Sequence, residues 1–127
     1  MTPIELLLTA TMAWGIVGDA THGTASWYST QSAQREGTSG TVTASGEAYD
    51  EDALTCASWD YPFGTMLLVL NRDNNKSVIV RVTDRGPSKR LVKRGRIIDL
   101  SKGAFSRIAE LDQGVIRVTV WQVERGK

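Results

Sequence analysis

The spacing of apolar and polar residues along the chain predicts mainly β-strands. Residues 66–70 are five consecutive apolar residues, which is typical of a buried strand. A turn signal at 72–76 separates them from a partner strand over 77–83. Residues 115–123 alternate, which predicts a strand buried on at least one face. Shorter strand-like stretches are predicted at 23–28, 41–45 and 96–98.

Helical spacing is confined to short stretches. Ala104, Phe105, Ile108 and Leu111 fall on one face of a helix predicted over 101–111. Residues 49–56 predict a short helical turn, and 31–40 a polar loop. Short strands separated by frequent turns favour a closed barrel or a sandwich.

Length and composition limit the number of domains and the classes of function that the chain can have. At 127 residues with a formal charge of +1, the chain predicts one domain without the basic field of a nucleic-acid-binding protein. The single cysteine, Cys56, excludes an intramolecular disulfide and is interpreted as a small buried residue. The lone histidine, His22, cannot build a zinc site, and no acidic cluster has metal-binding spacing. We therefore expect no metal and no cofactor.

The first residues resemble a secretory signal. Residues 4–17 are mostly apolar and are followed by small residues, although no Lys or Arg precedes them. We predict a signal-peptide-like leader over 1–22 and a single domain over 23–127, with a structural helix as the alternative for the leader. The apolar run is too short for a stable membrane span.

Two aspartates follow strand-like stretches at points where the chain turns. Asp84 lies in T-D-R-G-P and Asp99 in R-I-I-D-L-S. A positioned carboxyl group can act as a general acid or base. The structural alternatives are that Asp84 caps the turn at Gly86-Pro87 and that Asp99 caps the following helix.

Several sequence blocks carry a family resemblance. They are G-T-A-S-W-Y (23–28), T-A-S-G-E-A-Y-D (43–50), L-T-C-A-S-W-D-Y-P-F-G-T (54–65), V-I-V-R-V-T-D-R-G-P (78–87) and G-R-I-I-D-L-S-K-G-A-F (95–105). In this order they resemble the double-psi β-barrel domain of the rare lipoprotein A (RlpA) family of bacterial lytic transglycosylases, and more distantly the expansins. The resemblance implies an all-β, six-stranded double-psi barrel with one or two short helices.

The resemblance also implies a catalytic site. The family's acid–base positions correspond to Glu47, Asp84 and the residue at 58, where the family has histidine and this chain has Ser58. Asp84 is the expected acid/base. Because serine cannot carry a proton as histidine does near neutral pH, Ser58 favours the alternative of a glycan-binding or wall-loosening module without turnover.

Other residues near these blocks are candidates for binding substrate. The rings of Tyr28 and Trp59 could stack on sugars, although core packing is the commoner fate of such rings. Arg85 could bind a carboxylate or pair with a neighbouring acid. Asp99 is a further candidate for the site, because the resemblance to expansins matches it with the aspartate on which their wall-loosening activity depends.

The resemblance implies an extracytoplasmic protein that cleaves the glycan strands of peptidoglycan, and we expect it to be a monomer. A third possibility is a barrel recruited to bind or inhibit another protein. Its support is the basic stretch over 89–96, which is otherwise interpreted as a solvated loop or as a rim that meets a polyanionic wall polymer.

Overall fold

A computed structural model describes residues 14–29 and 42–126 of the chain. Six strands account for most of the regular structure: β1 (Trp14–Tyr28), β2 (Thr55–Ala57), β3 (Met66–Asn71), β4 (Ser77–Asp84), β5 (Arg96–Ser101) and β6 (Ile116–Arg125). The helical elements are α1 (Lys89–Val92), α2 (Lys102–Ile108) and a 3-10 turn (Leu111–Gln113).

The six strands close into one barrel in the order β1-β5-β2-β4-β3-β6, and β6 pairs back onto β1. The β1–β5 and β2–β4 pairs are parallel, and the other pairs are antiparallel. Closure satisfies strand edges that an open sheet would leave exposed. The architecture confirms the predicted all-β, six-stranded double-psi barrel with short helices.

Aliphatic side chains fill the barrel, mostly from alternate strand positions. They include Leu67, Val69, Val78, Val80, Val82, Ile98, Leu100 and Val118. Helix α2 adds Phe105 and Ile108, both fully buried, and Ser101 caps its start by accepting a hydrogen bond from the Ala104 N–H at 3.1 Å. Each large buried side chain contributes about 1.5–3 kcal/mol, so packing takes the place of cross-links in this fold.

The long strands of the sequence analysis are confirmed, and two helical predictions are corrected. Helix α2 ends at Ile108 because Ala109 is extended, with φ −160°. Residues Thr55–Ala57, of which the first two were predicted to lie in a helical turn, form β2 instead, and all three are buried. Pairing with β4 and β5 therefore overrides the local preference. The stretch predicted as strand-like at 41–45 contributes an isolated bridge between Val42 and Ala48, and the loop predicted at 31–40 lies outside the described residues.

Strand β1 begins inside the segment predicted as a leader. Residues 14–17 pair with 122–125 of β6, and pairing resumes at Thr21 after a bulge in which Gly18 has φ 77°. Residues 15–19 are exposed, so this part of β1 extends the sheet and adds little to the core. The barrel sheet thus starts before residue 23. Residues 1–13 lie outside the described range, and removal of a leader stays a prediction.

Candidate active site

Strand pairing brings the two sequence-predicted aspartates to either side of one small residue. Ala57 of β2 is the register partner of Asp84 on β4 and of Asp99 on β5. Asp99 in turn is paired with Ser26 on β1. Residues far apart in the sequence therefore form one row across four neighbouring strands.

Asp84 is held by one carboxylate oxygen. Its Oδ1 accepts hydrogen bonds from the backbone N–H of Ala44 (3.0 Å) and of Arg85 (2.9 Å). The Arg85 bond is a local turn interaction of the kind expected from sequence. The Ala44 bond fixes the 43–48 turn onto the end of β4. Asp84 Oδ2 faces the Tyr28 hydroxyl at 3.4 Å, so the second oxygen is directed toward a side-chain donor.

Tyr28 approaches Asp84 with its hydroxyl rather than with its ring face. Its ring stacks on Tyr49, with centroids 4.5 Å apart and planes at 13°. The Tyr49 hydroxyl donates to the Tyr28 carbonyl at 2.6 Å. Burial, with the Asp84 carboxylate adding to it, raises the pKa of Tyr28. Tyr28 is therefore a neutral hydrogen-bond donor at physiological pH.

Asp99 lies across Ala57 from Asp84 in the strand register and is not a helix cap. Its Oδ1 accepts a hydrogen bond from the Ser26 hydroxyl, and Ser101 caps α2. A Cβ on Gly86 would lie 3.4 Å from Asp99 Oδ2 and 3.3 Å from the Ala57 Cβ. The small residues at 57 and 86 thus let the D-R-G-P turn pack closely against Asp99.

Glu47 is engaged away from Asp84. Its Oε1 accepts a hydrogen bond from Arg81 Nη1 at 3.0 Å, and both side chains are about half exposed. The Arg81 side chain leaves β4 between the buried Val80 and Val82, so the ion pair lies on the outer face of the barrel. An exposed pair of this kind contributes about 0–1 kcal/mol, and it is easily exchanged for another partner.

Ser58 follows Ala57 and is 2% exposed. Its backbone N–H donates to the Asp84 carbonyl at 3.0 Å, and its hydroxyl accepts from the Asp60 N–H at 3.3 Å. Ser58 thus adjoins Asp84 through the backbone, while its side chain stabilises the turn that follows. Together with Thr21, Ile97 and other residues it lines a small pocket at this part of the barrel.

Arg85 anchors the 58–63 loop. Its Nη1 donates to the carbonyls of Ser58 and Tyr61, both at 2.8 Å, and its guanidinium lies 3.9 Å from the centre of the Phe63 ring. Phe63 remains 42% exposed. Arg85 is therefore a scaffold for the loop beside Asp84, and its role in binding substrate stays a prediction.

Trp59 presents an exposed indole next to this loop. It is 43% exposed, its Nε1 donates to the Pro87 carbonyl at 2.5 Å, and Lys89 Nζ lies 4.9 Å from its ring centre. The hydrogen bond holds the ring at the surface instead of in the core. This placement suits the sugar-stacking role predicted for it.

Some site residues were not found from the sequence. Tyr49 lies in one of the motif blocks, but its contact with Tyr28 depends on tertiary packing. Ser26 was not predicted because strand pairing alone brings it to Asp99. Arg81 was not predicted because its contact with Glu47 depends on how the 43–48 turn packs on β4. Phe63 was noted only as part of the P-F-G-T block.

The described residues offer no centre for a metal. Within 14–29 and 42–126 no three His, Cys, Asp or Glu side chains are grouped to hold one. Burial raises the pKa of the Cys56 thiol, which is fully enclosed in the core and therefore an inert packing residue. In the same ranges no helix is long and apolar enough to cross a membrane.

The fold and the paired positions of Asp84 and Asp99 define a double-psi barrel with a candidate acid–base site. Comparison with known families gives the same class, because the family model described as "Lytic transglycolase" matches residues 20–120. The chain belongs to this family, which confirms the resemblance noted from its motifs.

Curated relatives carry a more specific description. The endolytic peptidoglycan transglycosylase RlpA of Campylobacter jejuni is 44% identical over 102 residues, covering 80% of this chain and 34% of the relative. The RlpA of Pseudomonas aeruginosa strain PAO1 is 40% identical over 112 residues, covering 83% and 30%. The chain thus spans about a third of the length of these relatives.

Solved structures share the barrel. The Streptomyces papain inhibitor superposes with a TM-score of 0.62 at 25% identity, covering 86% of this chain and 97% of the inhibitor. An expansin from Clavibacter michiganensis has a TM-score of 0.57 at 24% identity, covering 82% and 50%. The expansin likeness supports the fold alone.

Proposed function

We propose that this domain is a lytic transglycosylase that cleaves peptidoglycan glycan strands outside the cytoplasm, with Asp84 as its acid/base group. The observation that carries the proposal is the anchoring of Asp84 by one oxygen while the other faces a neutral donor. A carboxyl group fixed in this way is positioned for proton transfer. Family membership and the names of the curated relatives support the reaction class.

The chemistry needs one carboxyl group acting twice. Protonated Asp84 donates its proton to the glycosidic oxygen as the bond from that oxygen to the sugar C1 breaks. The resulting carboxylate then removes the proton from the 6-hydroxyl of the same sugar, and O6 bonds to C1. The products are an anhydro sugar and a shortened strand, and Asp84 is protonated again. No water is consumed, unlike in hydrolysis by paired carboxylates.

Tyr28 would support the step in which Asp84 is ionised. Its hydroxyl faces Oδ2 at 3.4 Å and keeps its proton. A hydrogen bond to a charged acceptor is stronger than one to a neutral acceptor, so the contact gains strength as Asp84 loses its proton. Glu47 would join the site if a bound glycan drew it away from Arg81.

The test is mass spectrometry of purified peptidoglycan after incubation with the protein. We expect anhydro-muramyl products from the wild type and a loss of about 10²–10⁴-fold in rate for Asp84→Asn, the usual range for general acid–base catalysis. Asp112→Asn, at an exposed position in the 3-10 turn, is the matched control. If Asp84→Asn cleaves as well as the wild type, the assignment of Asp84 is wrong.

Glycan binding without turnover is the second candidate, and Ser58 favours it. The side chain that replaces the family's histidine is buried and bonded to the Asp60 N–H, so it offers no proton carrier. Ser58→His is expected to raise the rate of cleavage if the domain is an enzyme. If both the wild type and Ser58→His bind glycan without releasing anhydro products, the binding function is correct.

A further inference from the structure

One tyrosine beside the proposed acid–base pair has no part in the chemistry described above. The ring of Tyr49 stacks on the ring of Tyr28, with centroids 4.5 Å apart and planes at 13°. The Tyr49 hydroxyl donates a hydrogen bond to the Tyr28 carbonyl at 2.6 Å. Tyr49 therefore contacts Tyr28 twice, once at its ring and once at its backbone. Tyr28 in turn carries the hydroxyl that faces Asp84 Oδ2 at 3.4 Å.

The position of the Tyr28 hydroxyl depends on what holds its ring. Tyr28 is the last residue of β1 and pairs with Ser101 on β5, which fixes its backbone but not its side chain. Three staggered χ1 rotamers are open to such a side chain, and the hydroxyl, at the far end of the ring, moves most when χ1 changes. A second ring stacked against one face of Tyr28 removes this freedom, because the other rotamers would break the stack.

Tyr49 is itself held at the start of α2. Burial raises the pKa of Tyr49, and a backbone hydrogen bond from Lys102 offsets part of the rise, so the hydroxyl lies at the N-terminal end of the helix. The loop that follows Tyr49 packs there too, because the Gly103 N–H donates to the Glu51 carbonyl at 2.7 Å. A Cβ at position 103 would lie 2.6 Å from the Asp52 carbonyl oxygen, so this close approach requires glycine. The stacked tyrosines thus rest on a helix, which holds side chains more precisely than a free loop does.

We propose that Tyr49 is a positioning residue that holds the Tyr28 hydroxyl toward Asp84 Oδ2. The contact matters most when Asp84 is ionised, because a hydrogen bond to a charged acceptor is the stronger one. The effect of Tyr49 on the rate of cleavage rests on the proposed function of Asp84, whereas its effect on the orientation of Tyr28 is a property of the fold. The two effects are therefore tested separately.

Nuclear magnetic resonance tests the orientation on the full chain without substrate. Three-bond couplings report the χ1 rotamer of Tyr28, whose signals are readily assigned because the chain has three tyrosines. We expect a single rotamer in the wild type and in Tyr49→Phe, which keeps the stacked ring, and averaging over several rotamers in Tyr49→Leu. Tyr49→Met takes the place of Tyr49→Leu if the latter does not fold.

A control for lost stability is Val78→Ala. This buried side chain lies near the end of β4 that is opposite to Asp84, so its truncation weakens the core without disturbing the two tyrosines. Tyr28 should keep its single rotamer in this variant, and the rate of cleavage should match that of the wild type. A change seen in Tyr49→Leu and not in Val78→Ala is therefore specific to the tyrosine pair.

The rate of anhydro-muramyl release tests the consequence for the reaction. If the χ1 rotamers of Tyr28 become equally populated, its hydroxyl faces Asp84 for about a third of the time. The kcat of Tyr49→Leu should then fall about threefold with little change in KM, and less in Tyr49→Phe. In a Tyr28→Phe background, Tyr49→Leu should cause no further fall, because two changes that act through one contact are not additive.

Two results would overturn the proposal. If Tyr28 keeps a single rotamer in folded Tyr49→Leu, Tyr49 does not orient it. If Tyr49→Leu lowers kcat by the same factor with and without the Tyr28 hydroxyl, Tyr49 acts on the reaction by another route. A wild type that releases no anhydro products, together with the expected averaging of rotamers in Tyr49→Leu, would refute the proposed function of the domain while supporting the positioning of Tyr28 by Tyr49.

Discussion

Replacing Tyr28 by phenylalanine tests the proposed site through a single oxygen atom. The substitution removes the hydroxyl that faces Asp84 Oδ2 and keeps the ring that stacks on Tyr49. The bond that Tyr49 makes to position 28 also survives, because it ends on the backbone carbonyl. The change should therefore leave the fold almost unaffected while altering the environment of one carboxyl oxygen.

The size of the effect follows from the geometry. At 3.4 Å the contact is longer than a normal O–H···O bond, so it contributes little at this distance. A hydrogen bond to a charged group is worth about 1.5–3 kcal/mol. If the contact shortens as Asp84 becomes ionised in the transition state, its loss should lower kcat by about 10–150-fold, at 1.4 kcal/mol per factor of ten. KM should change little.

The assay is the rate of anhydro-muramyl release, measured over a range of glycan concentrations for the wild type, Tyr28→Phe and Tyr61→Phe. Tyr61→Phe is a matched control because the contact that Tyr61 makes with Arg85 uses its backbone carbonyl. A fall in kcat confined to Tyr28→Phe, with an unchanged urea midpoint, is the expected result. Activity equal to that of the wild type, or a loss explained by unfolding, would refute the role given to the hydroxyl.

Three further results are expected. Cys56, whose thiol pKa is raised by burial, should react with iodoacetamide only when the chain unfolds, as mass spectrometry with and without urea would reveal. Arg85→Lys should cost about 1–2 kcal/mol in urea unfolding, since lysine cannot bridge two carbonyls and cover a ring as arginine does. Burial raises the pKa of Tyr28 and Tyr49, so the folded state keeps protons that the unfolded state loses above pH ~10. The contribution of the two tyrosines to the free energy of unfolding is therefore fully present below that pH and is lost as the pH rises further. Tyr28→Phe combined with Tyr49→Phe should flatten this decline of stability with pH.

The sequence predicts the elements of this fold better than it predicts their neighbours. Apolar runs and alternation identify β3, β4 and β6 because those patterns depend on burial along a single strand. Strand β2 is too short to carry a pattern, and its conformation is imposed by the strands on either side. The same limit applies to the site. Asp84 is recognisable at the end of a strand. Asp99 was expected just after a strand over 96–98 but lies inside β5, because that strand continues to Ser101. Their common neighbour, Ala57, depends on register between distant segments.

Side-chain partners are harder still to predict, because several partners of similar energy compete for each group. Glu47 is found with Arg81 rather than with Asp84. Tyr28, expected from its sequence neighbours to offer a ring to sugar, has a face covered by Tyr49. A sequence motif determines the position along the backbone at which a functional side chain is attached. The packing of the whole barrel then decides which atoms the group meets.

Position 58 shows what such packing means for the proposed chemistry. The Ser58 backbone N–H is tied to the Asp84 carbonyl, and its hydroxyl is bonded to the Asp60 N–H. A histidine there must fit where a 2% exposed serine now lies, and overpacking of this kind costs about 1–3 kcal/mol. Ser58→His should therefore lower the free energy of unfolding by about that amount even if it raises the rate of cleavage, so its urea midpoint must be measured beside its activity. With no imidazole at this position, the neutral hydroxyl of Tyr28 is the proton-bearing group next to Asp84 among the described residues, and the proposed acid–base chemistry depends on these two side chains together.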